Sequence, residues 1–309
     1  MTKILLTDSM KNIQKKLNSD SDIIFQTGTY KITKQLIIPA NANINLNHST
    51  LQRCANIQSI FINDCTTKTT KYNGAGNIKI FNGTLEAMGK YEPDNLLTFF
   101  HSHDITILNM TFLDNLCHDI EINSSKNVKI LDCKFLGYNT LEAYKEMIQI
   151  DAAYPVGLWK SGSTINSKCY DGTMCKDITI LNCEFIKSSY RGYPGACIGT
   201  HVQLVNGLQH SNIIIKSNKF TCNDDQYCLS IIGMKNISVL DNTFINCLKV
   251  ARIYTKDYSY NLKGQKVNPG LYDGKCEDIT FKYNIGTGFV YKYIEPKKKY
   301  KIIKEIKIP

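Results

Sequence analysis

The sequence predicts an all-β chain wound as a right-handed parallel β-helix, a solenoid, with a short helix covering its N-terminal end. Three observations predict this. A nine-residue unit recurs without gaps as DITILNMTF (104–112), NVKILDCKF (127–135), DITILNCEF (177–185), NIIIKSNKF (212–220) and NISVLDNTF (236–244), with NIKIFNGTL (77–85) as a first copy and DITFKYN (278–284) as a degraded last one. The units start 27, 23, 50, 35, 24 and 42 residues apart, so the shortest intervals set a base period and the longer ones add an insertion or a second coil. The seventh place of the unit reads Met110, Cys133, Cys183, Asn218, Asn242, a column of like residues such as inward stacking produces. A period of this size made of strands and turns marks a solenoid, whose units bury their apolar faces only against their neighbours. A β-sandwich needs no nonamer at this interval, and the leucine-rich pattern is absent. Asn218 over Asn242 is placed to form an amide ladder.

Taken in order, residues 8–18 (DSMKNIQKKLN) read as an amphipathic helix, with Asp8 or Ser9 as cap and Met10, Ile13 and Leu17 on one face. The stretch that follows consists of short β-rich runs broken by Gly28, Pro39 and Asn-containing turns. SIFIND (59–64) and GNIKIFNGTLEA (76–87) lead into the repeats. The boundaries expected are a cap region 1–27, a β-helix domain 28–291 and a basic tail 292–309, the tail serving either for docking or as a last strand. Insertions at 138–146, 154–175 and 255–276 break the period; they are rich in Tyr, Gly and Lys, and the second carries the only tryptophan, Trp159. Long insertions from one side of a solenoid build the walls of a groove, and aromatic ones suit stacking on sugars.

Composition narrows the function. The net charge is +10, which fits a Lys-rich solvated surface or attraction to an anionic partner such as an acidic polysaccharide. Nucleic acid is not expected, because the basic residues are dispersed except at the C-terminal end and no nucleic-acid motif accompanies them. No run of about 18 apolar residues is present, so no membrane span is expected. The N-terminal residues lack the apolar stretch and cleavage site of a secretory signal. That points to a chain that is extracellular or carried on a virion without a conventional signal peptide, with the cytoplasm left open. The twelve cysteines form no CxxC pair, which argues against zinc. Those in the repeat read as buried reduced thiols, while Cys169/Cys175 and Cys222/Cys228 are spaced for local disulfides.

Two short strands carry the candidate site. In 118–123, Ile120 and Ile122 alternate with Asp119 and Glu121; in 147–152, Ile148 and Ile150 alternate with Gln149 and Asp151. On successive coils, Asp119, Glu121, Gln149 and Asp151 would share one exposed face. His201, which directly follows GACIGT with Ile198 and Thr200 inward, and Arg252, between Ala251 and Ile253, would face the same way.

Further segments carry a resemblance. IQKKLNSDSDIIFQTGTYKITKQLIIPANANINLNHSTL, GAGNIKIFNGTLEAMG, HDIEINSSKNVKILDCKFLGY, GACIGTH and HSNIIIKSNKF resemble pectate-lyase-like β-helix proteins, in particular a branch of polysaccharide-degrading enzymes and bacteriophage tail-spike depolymerases. The resemblance spans most of residues 8–285. CNDDQYC (222–228) and ARIYT (251–255) are similar to the paired Asp and R-I-K segments of polygalacturonase-type hydrolases, but the Gly-His-Gly element is missing and Tyr254 stands for Lys, so that catalytic triad does not transfer.

The resemblance implies a glycoside hydrolase acting on a bacterial surface, capsular or cell-wall glycan. Such an enzyme needs two carboxylates across the scissile bond. Glu121 and Asp151, at matching positions of adjacent coils, are the expected pair, with Asp119 and Glu146 as substitutes and His201 as a base or hydroxyl-binding group. Gln149, Glu146, His118, Arg252, Trp159 and Asp225 are expected to bind substrate, Arg252 by pairing with a uronate or phosphate. No cofactor is required. A lyase acting on a uronic acid is the alternative; there Asp119, Glu121 and Asp151 would hold Ca²⁺. A non-catalytic carbohydrate-binding or structural β-helix is a third reading. Tail spikes of this kind suggest a homotrimer.

Overall fold

The nonamer shapes the coil through two backbone positions. Its first residue (Asn77, Asp104, Asn127, Asp177, Asn212, Asn236, Asp278) has φ between 51° and 58° in every copy. Its sixth (Asn82, Asn109, Asp132, Asn182, Ser217, Asp241, Tyr283) has φ between 50° and 59°. A left-handed residue costs roughly 1–2 kcal/mol for most side chains, and Asn and Asp carry it most readily by bonding locally to the backbone. The repeat therefore selects short polar residues at both bends, and the structure follows from it. The structure is a computed structural model that describes residues 1–65, 69–87, 95–137, 146–155, 169–190, 192–194, 196–200, 202–222, 227–295 and 299–306.

Each bend turns the chain onto another face. The unit at 127–135 gives Lys126–Leu131 on one face and Lys134–Leu136 on the next. These pair in parallel with Lys176–Leu181 and Glu184–Ile186 of the following coil, with Val128 on Ile178, Ile130 on Ile180 and Phe135 on Phe185. The ninth place builds a stack of phenylalanines, Phe112, Phe135, Phe185, Phe220 and Phe244, with centroids 4.7 to 4.9 Å apart and rings 5° to 11° from parallel. The seventh place faces the core too. The Cys133 and Cys183 thiols donate to the Leu131 (3.2 Å) and Leu181 (3.4 Å) carbonyls. The amide ladder forms and runs one coil further than foreseen: Asn218 Nδ2 donates to Asn242 Oδ1 (3.0 Å), and Asn242 Nδ2 to Asn284 Oδ1 (2.9 Å).

A third face is a ten-stranded sheet that runs from Leu36–Ile38 through Phe61–Asn63, Leu97–Phe100, Ile120–Asn123, Ile148–Asp151, Ile198–Gly199, Leu229–Ile231 and Lys249–Ile253 to Gly288–Glu295 and Lys299–Ile306. Its strands are parallel except for the last pair, which is antiparallel. The three faces enclose one core, continuous from Ile4 to Val290. The chain is thus all-β, a right-handed parallel β-helix with one short helix at its N-terminal end.

That helix, Met10–Leu17, is capped by Ser9, whose Oγ accepts from the Asn12 N–H, and it buries Ile13 and Leu17. Gln14 projects sideways: its amide donates to the Ile37 carbonyl and accepts from the Ile37 N–H, both at 2.8 Å. Both polar groups of the first strand's middle residue are thereby satisfied. Parallel pairing begins as early as Thr2–Ile4 against Asp22–Phe25, and residues beyond 292 take part in the closing antiparallel pair.

Two expectations are corrected. All twelve cysteines are free thiols, so neither Cys169/Cys175 nor Cys222/Cys228 is a disulfide. Cys169 instead packs with Ile62, Cys65, Phe100 and Ala153, while the Cys175 thiol reaches the Asp151 carbonyl at 3.1 Å. The outer face of the ten-stranded sheet is also not open. The described part of the second insertion lies on it: the Asp171 carboxylate accepts the Lys71 N–H (2.7 Å), and Tyr72 donates its hydroxyl to the Met174 carbonyl (2.7 Å). The third insertion carries a small hairpin, Ser259–Tyr260 with Lys266–Val267, held by Asp273, which accepts from Ser259 Oγ (2.7 Å) and the Gly207 and Gly270 N–H groups (both 2.9 Å). Tyr260 meets Tyr154 at 5.8 Å, in a second apolar cluster with Ala152, Val202 and Leu204. Residues 138–145 and 156–168 lie outside the described residues.

Candidate functional site

Ile120, Ile122, Ile148 and Ile150 point into the core, so Glu121, Asn123, Gln149 and Asp151 point outward from the ten-stranded sheet. Parallel pairing stacks Glu121 on Gln149 and Asn123 on Asp151. The expected face therefore exists, but it differs in three ways. It is buried, Glu121 to 3% exposure and Asp151 to none. Glu121 and Asp151 are not at matching positions but two residues out of step. With strands about 4.8 Å apart and a rise of about 3.3 Å per residue, their backbones are about 8 Å apart.

Asp119 is the third difference. Its carbonyl accepts the Leu97 N–H, just as the carbonyls of Met147 and Cys197 accept from Ile120 and Ile148 on the next coils. It therefore sits in the row of Leu96, Met147 and Cys197, which all belong to the core. Strand alternation stops at this corner, where the chain turns. Neither carboxylate oxygen makes a hydrogen bond of good geometry, and burial holds its pKa well above the usual carboxylate range, countered only in part by Asn115. Asp119 does not stand in for Glu121 or Asp151.

Around Glu121 the site is dense with polar groups. Asn95 donates its amide to Glu121 Oε2. Burial raises the Glu121 pKa; His118 opposes the rise and the Asp151 charge adds to it. His118 Nδ1 contacts the Glu146 carbonyl at 2.5 Å, and both residues are buried. Asp151 accepts from Gln149 Nε2 (2.7 Å) and from the Ala152 N–H (2.9 Å). The Asn123 amide, Gln149 Oε1 and the Tyr154 hydroxyl, all buried, lack hydrogen bonds of good geometry.

The cationic side of the site comes from later coils. The row of Glu121 and Gln149 continues through Gly199 and Ser230 to Arg252. Arg252 donates from Nε to Ser230 Oγ (3.0 Å) and lies over the rings of Tyr254 (4.5 Å) and Tyr227 (5.4 Å). Lys256, in the third insertion, was not foreseen. Burial lowers its pKa to about 8, helped by Arg252 and opposed by the charges of Asp151 and Glu146. Its backbone is fixed by Gln203, whose Oε1 accepts the Lys256 N–H at 2.7 Å. Asn123 could have been read from the sequence, two residues beyond Glu121 on the same strand; Asn95 and Lys256 lie outside any period and gave no such signal. His201, Trp159 and Asp225 fall outside the described residues.

No protein-family model matches the chain. Plasmin and fibronectin-binding protein A of Streptococcus pneumoniae is 28% identical to it over an alignment of 230 residues that covers 64% of this chain and 31% of that protein. The chain thus spans under a third of the length of that curated relative. The solved structure of the Streptococcus pneumoniae surface protein and adhesin PfbA aligns over 94% of this chain and 78% of its own, with a TM-score of 0.72 and 22% identity. A hyperthermoactive exopolygalacturonase from Thermotoga maritima aligns over 84% of this chain and 70% of its own, with a TM-score of 0.56 and 12% identity. Among the described residues, no helix is long and apolar enough to cross a membrane. The fold is that of the pectate-lyase-like right-handed parallel β-helix proteins.

Proposed function

We propose that this chain is a glycoside hydrolase acting on an acidic polysaccharide of a cell surface, and that it works outside the cell or on a virion. The observation that carries the reading is the placing of Glu121 and Asp151 on adjacent strands, two residues out of step, beside buried, incompletely bonded amide and hydroxyl groups. Glu121, whose pKa burial raises, would give its proton to the leaving glycosidic oxygen. Asp151 would take a proton from the water that attacks the anomeric carbon. The two-residue offset suits the separation of about 6.5–9.5 Å that leaves room for such a water and inverts the sugar. Gln149, Asn123, His118 and Glu146 would meet sugar hydroxyls, and Arg252 and Lys256 an acidic group. Substrate would have to enter beneath the segments that cover this face.

The test is incubation with a panel of bacterial surface and acidic polysaccharides, following reducing ends together with the ultraviolet absorbance of an unsaturated uronate. Reducing ends without absorbance are expected, and Glu121→Gln and Asp151→Asn should each lower the rate by about 100-fold or more. Absorbance rising with the reducing ends would mean elimination instead. A second reading, non-catalytic attachment at a cell surface, is favoured by the likeness to an adhesin. Glycan or host-protein binding with neither signal would establish that reading and overturn the first.

A further inference from the structure

Four cysteines gather at one inner corner of the coil. Cys197 and Cys228 precede the strands Ile198–Gly199 and Leu229–Ile231 and stack on each other, the Cys197 N–H donating to the Cys228 carbonyl at 3.0 Å. Cys222 and Cys247 follow Lys219–Thr221 and Thr243–Ile245, and the Cys222 N–H donates to Cys247 Sγ at 3.4 Å. All four side chains belong to the core. The Sγ atoms of Cys197, Cys222 and Cys228 lie within 4.8 Å of one another, and Cys197 Sγ is 3.3 Å from Cys222 Sγ.

Cys133, Cys175, Cys183 and Cys247 each direct sulfur at a backbone carbonyl, at 3.2, 3.1, 3.4 and 3.0 Å. Cys197 and Cys222 are in contact with each other. Tetrahedral zinc, with bonds of about 2.3 Å to sulfur, holds its sulfurs about 3.8 Å apart. The separations found here, 3.3 Å at the closest pair and within 4.8 Å for all three, bracket that value.

We propose that Cys197, Cys222 and Cys228 form a buried three-thiolate site for zinc. The ligands come from the winding of the coil rather than from a short motif: Cys197 and Cys228 precede stacked strands of one face and Cys222 follows a strand of another, which is why a search for CxxC misses them. Binding exchanges each S–H proton for a bond to the ion, and the protons pass to solvent. Because a thiol must lose its proton to bind the ion, uptake is coupled to proton release.

The experiment is to refold the full chain with zinc, or with cobalt(II) as a spectroscopic probe, and pass it over a desalting column. Native mass spectrometry should show one ion per chain, and cobalt should give the charge-transfer and ligand-field absorption of a tetrahedral thiolate. Cys228→Ala should lose both signals, whereas Cys133→Ala, outside the cluster, should keep them. A wild-type chain that is folded by circular dichroism but retains no stoichiometric zinc or cobalt overturns the proposal. So does peptide mapping that finds a Cys197–Cys222 disulfide in the metal-exposed protein. Neither result depends on a variant that must fold.

Discussion

The Asp119 carboxyl is buried without a well-formed hydrogen bond, and its pKa is raised well above the usual range. A carboxyl whose folded pKa exceeds the unfolded one binds its proton more tightly when folded. Its contribution to stability is complete below the unfolded value and is lost as pH rises toward the folded one. Asp119→Asn, which keeps the shape without the charge, should stabilise the protein at neutral pH by roughly 1–3 kcal/mol and flatten the fall in stability as pH rises above the usual carboxylate range. Urea titrations at several pH values check this. Lys256 is the second residue with a signature. With a pKa of about 8, its ammonium is lost as pH rises through that value. Cleavage of an acidic glycan should therefore decline over the same interval; Lys256→Arg should move the decline to higher pH, and Lys256→Ala should abolish it. Of these residues, Glu121 and Asp151 were legible in the sequence because alternation holds inside a strand. Asp119 was misplaced because alternation ends where the chain turns a corner, and Lys256 was missed because its position depends on how an aperiodic insertion folds back.

Among the elements, the nonamer was the most legible, and physical reasons account for it. Two left-handed bends admit few residue types, and the places between them must be branched apolar or aromatic to fill the core. The amide ladder adds a constraint. Asn242 Oδ1 accepts both the Asn218 N–H (2.9 Å) and Asn218 Nδ2, while its own Nδ2 reaches the Ile215 carbonyl (2.9 Å) and Asn284 Oδ1. Asn242→Leu matches the size but leaves those buried groups without their partner, at about 1–3 kcal/mol for each group stranded. A fall in the denaturation midpoint with an unchanged slope would show it. The insertions were legible only as interruptions. Their length and aromatic content suggested walls beside an open groove, whereas the face that carries Glu121 and Asp151 is buried. A repeat fixes what stacks on what; nothing periodic specifies what an insertion covers.

At the scale of the whole molecule, one core runs from Ile4 to Val290, and every coil rests on the next. Stability in such a stack is mostly a sum of neighbour contacts, so the two ends, each with a neighbour on one side only, matter out of proportion to their size. The antiparallel strand Lys299–Ile306 lies at one end of the ten-stranded sheet, and at the other stands Leu36–Ile38 with Gln14 against it. Gln14→Ala should leave the fold intact but allow association through that edge, seen as a concentration-dependent rise in sedimentation coefficient; a variant that stays monomeric at all concentrations would show that the edge is protected otherwise. The Gln14 contact has a broader meaning. A coil whose backbone groups are all aimed along one axis is a template, able to seed the addition of another chain like it, as the strands at the tip of a growing fibre do. One carboxamide, Gln14, imitates at that edge a single residue of the strand that would come next.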